Sequence, residues 1–136
     1  MSTMFVTDTH PLTGYFCGQR SKLSRKVIRA FEDATNNKTK VIYVPATVLW
    51  EISILINKGA IELRLPFSDW VSTMFKHPML LPVPFDEQTA VQYHQLSFTS
   101  DPFDKAIVAA ALQLDLPLIT NDGVIHDKKP CKLFWD

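Results

Sequence analysis

Two acidic residues follow apolar segments that are typical of buried strands. Asp8 comes directly after Met4–Thr7, and Asp122 comes after Leu118–Thr120 with one residue between. Because the carboxyl ends of parallel strands lie at one edge of a sheet, both carboxylates are expected there if the strands are parallel. Each also has a structural interpretation, since Asp8 can cap a following helix and Asn121-Asp122-Gly123 is a strong turn signature.

Three more carboxylates belong to helical patterns near the same edge. Glu51 interrupts the apolar stretch Val48–Ile56, an unusual setting for a charge, although a solvent-facing polar stripe also explains it. Asp101 and Asp104 bracket the start of a helical pattern. In a purely structural arrangement, Asp101 caps this helix and Asp104 places its charge near the positive helix end.

Four of these acids together predict a metal-dependent hydrolytic site. They are Asp8, Glu51, Asp104 and Asp122. Two carboxylates about 4 Å apart repel by roughly 4 kcal/mol at an effective dielectric of about 20, so one is protonated or a cation neutralises them. Oxygen ligands without paired His or Cys favour Mg²⁺ or Mn²⁺ over Zn²⁺. Such an ion activates water and shields a phosphodiester during in-line attack, so the implied chemistry is phosphodiester hydrolysis.

The elements that must position these side chains alternate along the chain. Short runs rich in β-branched or large apolar residues predict strands over Met4–Thr7, Val41–Val44, Met79–Val83 and Leu116–Thr120, with a weaker fifth over Lys132–Trp135. Amphipathic patterns predict helices over Ser24–Ala34, Pro45–Lys58, Phe67–Lys76, Asp86–Ser97 and Pro102–Asp115. This alternation predicts a mostly parallel sheet that is covered on both faces.

Length and composition favour one soluble domain. The chain has 136 residues, of which 46% are hydrophobic, and this is enough for a core without disulfide bonds. Cys17 and Cys131 lack metal-type spacing and are interpreted as reduced packing residues of a cytoplasmic protein. No segment has the length and apolar character of a membrane span, and the N-terminus lacks a signal-peptide pattern.

Basic residues are concentrated in the first half of the chain, although the formal net charge is zero. This neutral total argues against a protein that coats nucleic acid by bulk charge, but it permits a local basic patch. The densest cluster comprises Arg20, Lys22, Arg25, Lys26 and Arg29. The spacing from Lys22 to Arg29 predicts a shared helical face, either a phosphate-contacting rim beside the acids or a solvated surface.

Four motifs occur in a fixed order along the chain: Val6–His10, Val44–Ile52, Asp101–Ala111 and Leu118–Asp122. In this order they resemble the motifs of PIN-domain ribonucleases, in particular the VapC-like toxins of type II toxin–antitoxin systems. The resemblance covers essentially the whole chain. It implies a three-layer α/β/α sandwich with a central, mostly parallel sheet, and residues 1–136 as a single PIN-like nuclease domain.

The resemblance also implies a site and partners. The catalytic, metal-binding quartet of such endoribonucleases maps onto Asp8, Glu51, Asp104 and Asp122, with Mg²⁺ or Mn²⁺ as cofactor. Asp101 is a neighbouring extra carboxylate, and Thr120 matches a common hydroxyl position beside the site. Lys105 stands where an Arg is common, so its phosphate contact differs in geometry. Such proteins are usually paired with a small antitoxin and often form homodimers.

Other functions and roles remain open from the sequence. Asp8 after a strand is also the position of a phosphoryl-transfer nucleophile, although such enzymes place a second Asp where this chain has His10. A catalytically silent PIN-like module would bind RNA or a protein without cleavage, and its RNA binding would be lost at high salt. His10 itself is predicted to cap or pack, and the alternative is contact with substrate or with a carboxylate beside the site. The remaining apolar candidates, interpreted as core or as a partner surface, are Leu12, Tyr15, Phe16 and Trp50.

Overall fold

The computed structural model describes residues 3–136, in which five parallel strands form one sheet. The strands are β1 (Met4–Thr7), β2 (Val41–Pro45), β3 (Leu80–Val83), β4 (Leu118–Ile119) and β5 (Leu133–Phe134). Their order is β3-β2-β1-β4-β5, so β2 and β3 lie on one side of β1 and the later strands β4 and β5 lie on the other. The order therefore reverses between β1 and β4, where Thr7 is paired with Ile119.

Helices connect the strands and cover both faces of the sheet. They are α1 (Thr9–Phe16), α2 (Arg25–Glu32), α3 (Ala46–Asn57), α4 (Phe67–Met74), α5 (Glu87–His94), α6 (Pro102–Leu114) and α7 (Gly123–Lys128). The predicted three-layer α/β/α sandwich with a parallel central sheet is confirmed. None of the helices in residues 3–136 has the length and apolar content needed to cross a bilayer.

The core lies on both faces of the central strands. Phe5 and Val6 of β1 are buried, as are Ile42 and Val44 of β2. Helix α6 contributes a continuous run of buried residues, Ala106–Ala111, four of which are alanine, and packs against β1, α3 and α5. Because this helix and β1 are buried in the core, the residues at their ends are fixed in position.

Two helices, α1 and α7, were not predicted from the sequence. Helix α1 contains Pro11 and Gly14, which are poor helix formers, and α7 begins at the Gly of the predicted turn Asn121-Asp122-Gly123. Both helices are capped by an acid, Asp8 for α1 and Asp122 for α7. The turn interpretation of Asp122 is therefore wrong, because its side chain accepts a hydrogen bond from the first turn of α7.

The other element boundaries differ from the prediction by a few residues. Pro45 closes β2 and precedes α3, whereas the sequence predicted it at the first helical position. The paired part of β4 is Leu118–Ile119, shorter than the predicted strand, since only two of its residues have partners on β1. Ser24 lies outside α2 and caps it, which separates Lys22 from that helix.

Candidate active site

Asp8 stands at the carboxyl end of β1 and is buried. Its Oδ1 accepts the Thr9 backbone N–H at 2.7 Å, and its Oδ2 accepts the Thr120 hydroxyl at 2.6 Å. Burial raises the pKa of this carboxyl, and the hydrogen bond from Thr120 opposes the rise. Two hydrogen bonds thus fix both carboxylate oxygens at the point where the strand order reverses.

Thr120 links the ends of β1 and β4. Besides donating to Asp8, its hydroxyl accepts the Asp122 backbone N–H at 3.1 Å. The Asp122 carboxylate accepts the Ile125 N–H at 3.0 Å as the cap of α7. A ring nitrogen of His126, Nε2, lies 2.7 Å from the Thr120 carbonyl oxygen and completes the support of this turn. Asp122 is therefore fixed next to Asp8 by the backbone as well as by its own side chain.

Glu51 reaches the same edge from α3, which follows β2. Its Oε1 accepts a hydrogen bond from the Thr9 hydroxyl, and its side chain is half-buried. Burial raises the pKa of Glu51, the Thr9 hydrogen bond lowers it, and the charge of Asp8 raises it further. The interpretation of Glu51 as part of a solvent-facing stripe is wrong, because the side chain turns toward the first helical residue after Asp8.

Asp101 and Asp104 occupy the N-terminus of α6, with Pro102 at the first helical position. The Asp101 carboxylate accepts the N–H groups of Phe103 at 2.9 Å and Asp104 at 3.1 Å, which confirms the predicted capping arrangement. Asp101 is exposed, whereas Asp104 is half-buried. The cap therefore leaves the Asp104 carboxylate free to face the other acids.

The pKa of Asp104 reports how closely these acids converge. Burial, as the largest cause, and the negative charge of four neighbours together raise it to about 7. Those neighbours are Asp101, Asp122, Asp8 and Glu51. Acids that are up to 114 positions apart in the chain, from Asp8 to Asp122, thus belong to one electronegative region. In the described residues no Lys or Arg forms an ion pair with any of them.

A crevice of about 330 Å³ opens beside Asp8 and Asp122. Its wall includes His10, Lys22 and Trp135. His10 is exposed, and its charge lowers the pKa of Asp8, so the predicted packing role is wrong. The sequence shows that His10 lies two residues after Asp8, but it does not show that the first turn of α1 places His10 in the crevice.

The donor chemistry of this region fits a hard divalent cation, but a complete ligand cage is not assembled. Within residues 3–136 no group of three His, Cys, Asp or Glu side chains is placed to hold one ion together. Mg²⁺ keeps several waters and often takes only one or two protein carboxylates. Carboxylate oxygens without a paired His or Cys therefore fit Mg²⁺ or Mn²⁺ better than Zn²⁺, whose sites usually include nitrogen or sulfur ligands.

The predicted basic cluster does not form one rim. Arg20 and Lys22 share a 3₁₀ turn, but Lys22 lines the acidic crevice, whereas the Arg20 guanidinium lies 4.0 Å from the Tyr15 ring centroid. Arg25 is exposed at the start of α2. The shared helical face predicted from Lys22 to Arg29 is wrong, because the Ser24 cap starts a new helix after Lys22.

Lys26 and Arg29 line a separate groove, away from the acids. Lys105 follows Asp104 in α6 but places its Nζ 4.4 Å from the centroid of the Tyr93 ring. Among the residues predicted to contact RNA phosphates, only Lys22 therefore lies beside the acids.

The apolar candidates differ in how far they are buried. Leu12 and Tyr15 are buried core, but Trp50 is 62% exposed and meets Phe103 edge-to-face at 5.0 Å between ring centroids. These two aromatic residues directly precede Glu51 and Asp104. A groove of about 450 Å³ lies against them.

Thr9 and His126 are site residues that sequence reasoning missed. Thr9 lies 42 positions from the Glu51 side chain that it contacts, and His126 belongs to the unpredicted helix α7. Thr9 belongs to the first of the four motifs, but its hydrogen bond to Glu51 could not be predicted from the sequence.

The model of the PIN domain family matches residues 5–129 of this chain. The chain belongs to the PIN domain family. The resemblance predicted from its sequence motifs is confirmed.

Solved structures with the same fold extend this result. VapBC2 from Rickettsia felis, bound to a DNA fragment from its promoter, gives a TM-score of 0.64 at 16% identity, covering 98% of this chain and 99% of that one. FitAcB from Neisseria gonorrhoeae gives 0.63 at 20% identity, covering 96% of each chain. FitAB bound to an IR36 DNA fragment gives 0.60 at 20% identity, covering 96% and 94%. No curated protein sequence matches this chain.

Proposed function

We propose that this PIN-domain protein is a metal-dependent endoribonuclease that hydrolyses RNA phosphodiester bonds. The observation that carries the proposal is the placement of four carboxylates around the strand-order reversal. Hydrogen bonds from Thr120 and Thr9 hold Asp8 and Glu51 there, Asp104 lies in the first turn of α6, and Asp122 caps α7. Such a concentration of negative charge is costly unless a cation is bound there. We take residues 1–136 as one nuclease domain, of which the first two residues lie outside the described structure.

Four acids are proposed to hold Mg²⁺ or Mn²⁺, in part through water. They are Asp8, Glu51, Asp104 and Asp122. A bound ion of this kind would neutralise the phosphodiester and activate water for its hydrolysis. The chain needs no covalent intermediate for this reaction.

The surrounding residues position these acids. The hydroxyls of Thr9 and Thr120 donate to Glu51 and Asp8 and hold their carboxylates in place. Asp101 fixes the first turn of α6, which carries Asp104. Lys22 lies in the crevice wall, where a cation can contact a substrate phosphate.

We further propose that the nuclease is the toxin of a toxin–antitoxin pair and acts in the cytoplasm as a homodimer. The similar solved structures VapBC2 and FitAB are both described with bound DNA. The exposed Trp50 and its apolar groove supply a surface of the kind that a small antitoxin protein or a second subunit would cover. Both cysteines are free thiols, which is consistent with a reducing compartment.

The test is a cleavage assay on a mixed RNA pool with Mg²⁺, Mn²⁺ or EDTA. Wild type should cleave only with a divalent ion, and Asp104→Asn and Asp8→Asn should reduce the rate at least about 100-fold, in line with loss of a group that stabilises transition-state charge. Asp115→Asn is the matched control, because Asp115 is an exposed acid at the C-terminal end of α6.

Three results would defeat the assignment. The first is equal cleavage by all three variants, after contaminating ribonuclease has been excluded with a mock preparation. The second is RNA binding without cleavage at any metal concentration, which identifies the silent-module alternative. The third is a trapped phosphoenzyme on Asp8, which identifies the phosphoryl-transfer alternative.

A further inference from the structure

A second groove lies at the edge of the sheet opposite the acids. Three of its lining residues, Lys40, Pro117 and Lys132, directly precede β2, β4 and β5. Since all strands are parallel, these residues mark the amino-terminal edge, whereas Asp8 and Thr120 follow the carboxyl ends. The groove has a volume of about 490 Å³ and is bordered on one side by α2.

Four cationic side chains line this groove, against one carboxylate. The cations are Lys26, Arg29, Lys40 and Lys132, and the acid is Asp33. Within residues 3–136 only Lys132 forms an ion pair, with Asp115 at 3.3 Å, and both side chains of that pair are mostly exposed. Such a surface pair contributes little, so most of the positive charge in the groove is uncompensated.

The groove also has an aromatic wall. Phe134 is half-buried, with its ring centroid 4.4 Å from that of the buried Phe5. The Lys26 ammonium lies 4.7 Å from the Phe134 centroid, so a cation and an aromatic ring are presented together. Cations with an aromatic surface between them fit a single nucleic-acid strand, whose phosphates bind the cations while a base or ribose covers the ring. An acidic peptide would satisfy the cations but would leave the aromatic wall uncovered.

We infer that this groove is an exosite that binds the backbone of single-stranded RNA at a distance from the scissile bond. The identity of the strand as the substrate rests on the proposed function; the groove itself rests on its own residues. The four residues of β1 span about 13 Å between the two edges, at 3.3 Å per residue. The contacted phosphates therefore belong to a different part of the strand from the cleaved bond, and an RNA must be long enough to extend from one edge of the sheet to the other to occupy both places.

The test is the salt dependence of RNA binding, measured with a fluorescently labelled 20-nucleotide single strand and protein carrying Asp104→Asn to prevent cleavage. One variant adds Lys26→Ala, Arg29→Ala and Lys40→Ala. Its matched control adds Lys58→Ala, Arg64→Ala and Lys76→Ala, which removes the same number of Lys and Arg residues from exposed positions outside the groove.

The groove variant should lower the slope of log affinity against log salt by about two, since each lost phosphate contact on a single strand removes about 0.7. The control should keep the slope of the Asp104→Asn protein. If the triple variant does not fold, the single change Arg29→Ala, at an exposed position, should lower the slope by about 0.7.

Equal slopes for the groove variant and the control would overturn the exosite, and the groove would then serve another anionic partner or none. This failure is distinct from failure of the proposed function. If the groove-dependent slope is found but the wild-type protein does not cleave the same RNA with Mg²⁺ or Mn²⁺, the nuclease is refuted and the exosite is kept. If wild type cleaves this RNA and no groove-dependent slope is found, the exosite is refuted and the nuclease is kept.

Discussion

One hydroxyl group connects the two sides of the strand-order reversal. Thr120 donates to Asp8 from the end of β4 and accepts from the Asp122 backbone. The side chain is fully buried, so water cannot replace either interaction. Thr120, which stands two residues before Asp122, thus orients a different acid, Asp8, 112 positions earlier in the chain.

Replacing this hydroxyl by a methyl group of similar shape tests that role. Thr120→Val should lower kcat/KM for RNA at least about tenfold, and should reduce the free energy of unfolding by about 1–3 kcal/mol, because a buried carboxylate oxygen loses its donor. Thr120→Ser keeps the donor and should retain most of the activity. RNA cleavage and urea unfolding of the two variants provide the comparison. Equal activity in both would show that the hydroxyl does not position Asp8.

Asp104 predicts a pH dependence of stability for the metal-free protein. Its pKa rises from the ordinary 3.8 to about 7 on folding, so the folded state binds more protons than the unfolded state between these values. The free energy of unfolding therefore falls as pH rises through this window. Asp104→Asn removes the effect and should become more stable relative to wild type from pH 5 to pH 8.

Because Asp104 is half-exposed, solvent screening reduces this gain to about 1–2 kcal/mol. Urea unfolding in EDTA at fixed ionic strength measures it. The measured difference includes the effect of the Asp104 charge on the neighbouring acids, because Asp104→Asn removes that charge as well. A constant difference between the two proteins across this range would mean that Asp104 titrates normally.

At the scale of elements, the N-termini of helices serve both stability and the site. Asp8, Asp101 and Asp122 each cap a helix, α1, α6 and α7. Capping places each carboxylate at the positive end of a helix, which offsets part of the repulsion among the acids. A structural role and a functional role are therefore not alternatives for Asp8 and Asp122.

Asp101 allows the capping role to be tested apart from the proposed metal-binding role, because it caps α6 but is exposed. Asp101→Ala should lower the free energy of unfolding by about 1 kcal/mol, whereas Asp101→Asn should cost only a few tenths, since Asn caps almost as well. Cleavage by both variants should remain close to wild type. A loss of cleavage as large as that of Asp104→Asn would instead place Asp101 among the metal-binding acids.

The alternation of strands and helices was predictable from the sequence, and so were the acids that the strand ends and α6 bring together. Residue patterns sufficed there because apolar periodicity determines which face is buried. The helices α1 and α7 were not predictable, because Pro11, Gly14 and the Asn121-Asp122-Gly123 turn signal outweigh their caps locally, and tertiary packing outweighs both. The helix that begins after Ser24 was predicted, but the groove that its Lys26 and Arg29 line was not, because it depends on packing against β5 and the residues before the strands.

At the scale of the whole molecule, the two edges of the sheet carry opposite charge. The acids lie at the carboxyl edge and the cationic groove at the amino edge, although the total formal charge is zero. Long-range attraction of RNA to one edge therefore does not require a basic protein, and the local fields decide where a strand binds.

Divalent cations should stabilise the folded molecule through the carboxyl edge alone. At a Mg²⁺ concentration about 100 times its dissociation constant, the free energy of unfolding should rise by about 2.7 kcal/mol. Asp8→Asn and Asp104→Asn should gain much less, while Asp115→Asn should gain as much as wild type. Thermal unfolding with and without EDTA measures these shifts. An equal shift in all four proteins would indicate nonspecific ion binding.

Trp135, which lies in the wall of the acidic crevice, gives the molecule a built-in optical probe. Indole emission responds to nearby charge and hydration, so neutralising the carboxylates beside Asp8 and Asp122 should change its spectrum without any attached dye. Trp70 is buried in the core and Trp50 sits by a different groove, so Trp135→Phe would identify the signal. Occupancy of the crevice could then be followed in real time, in the intact protein, separately from bond cleavage.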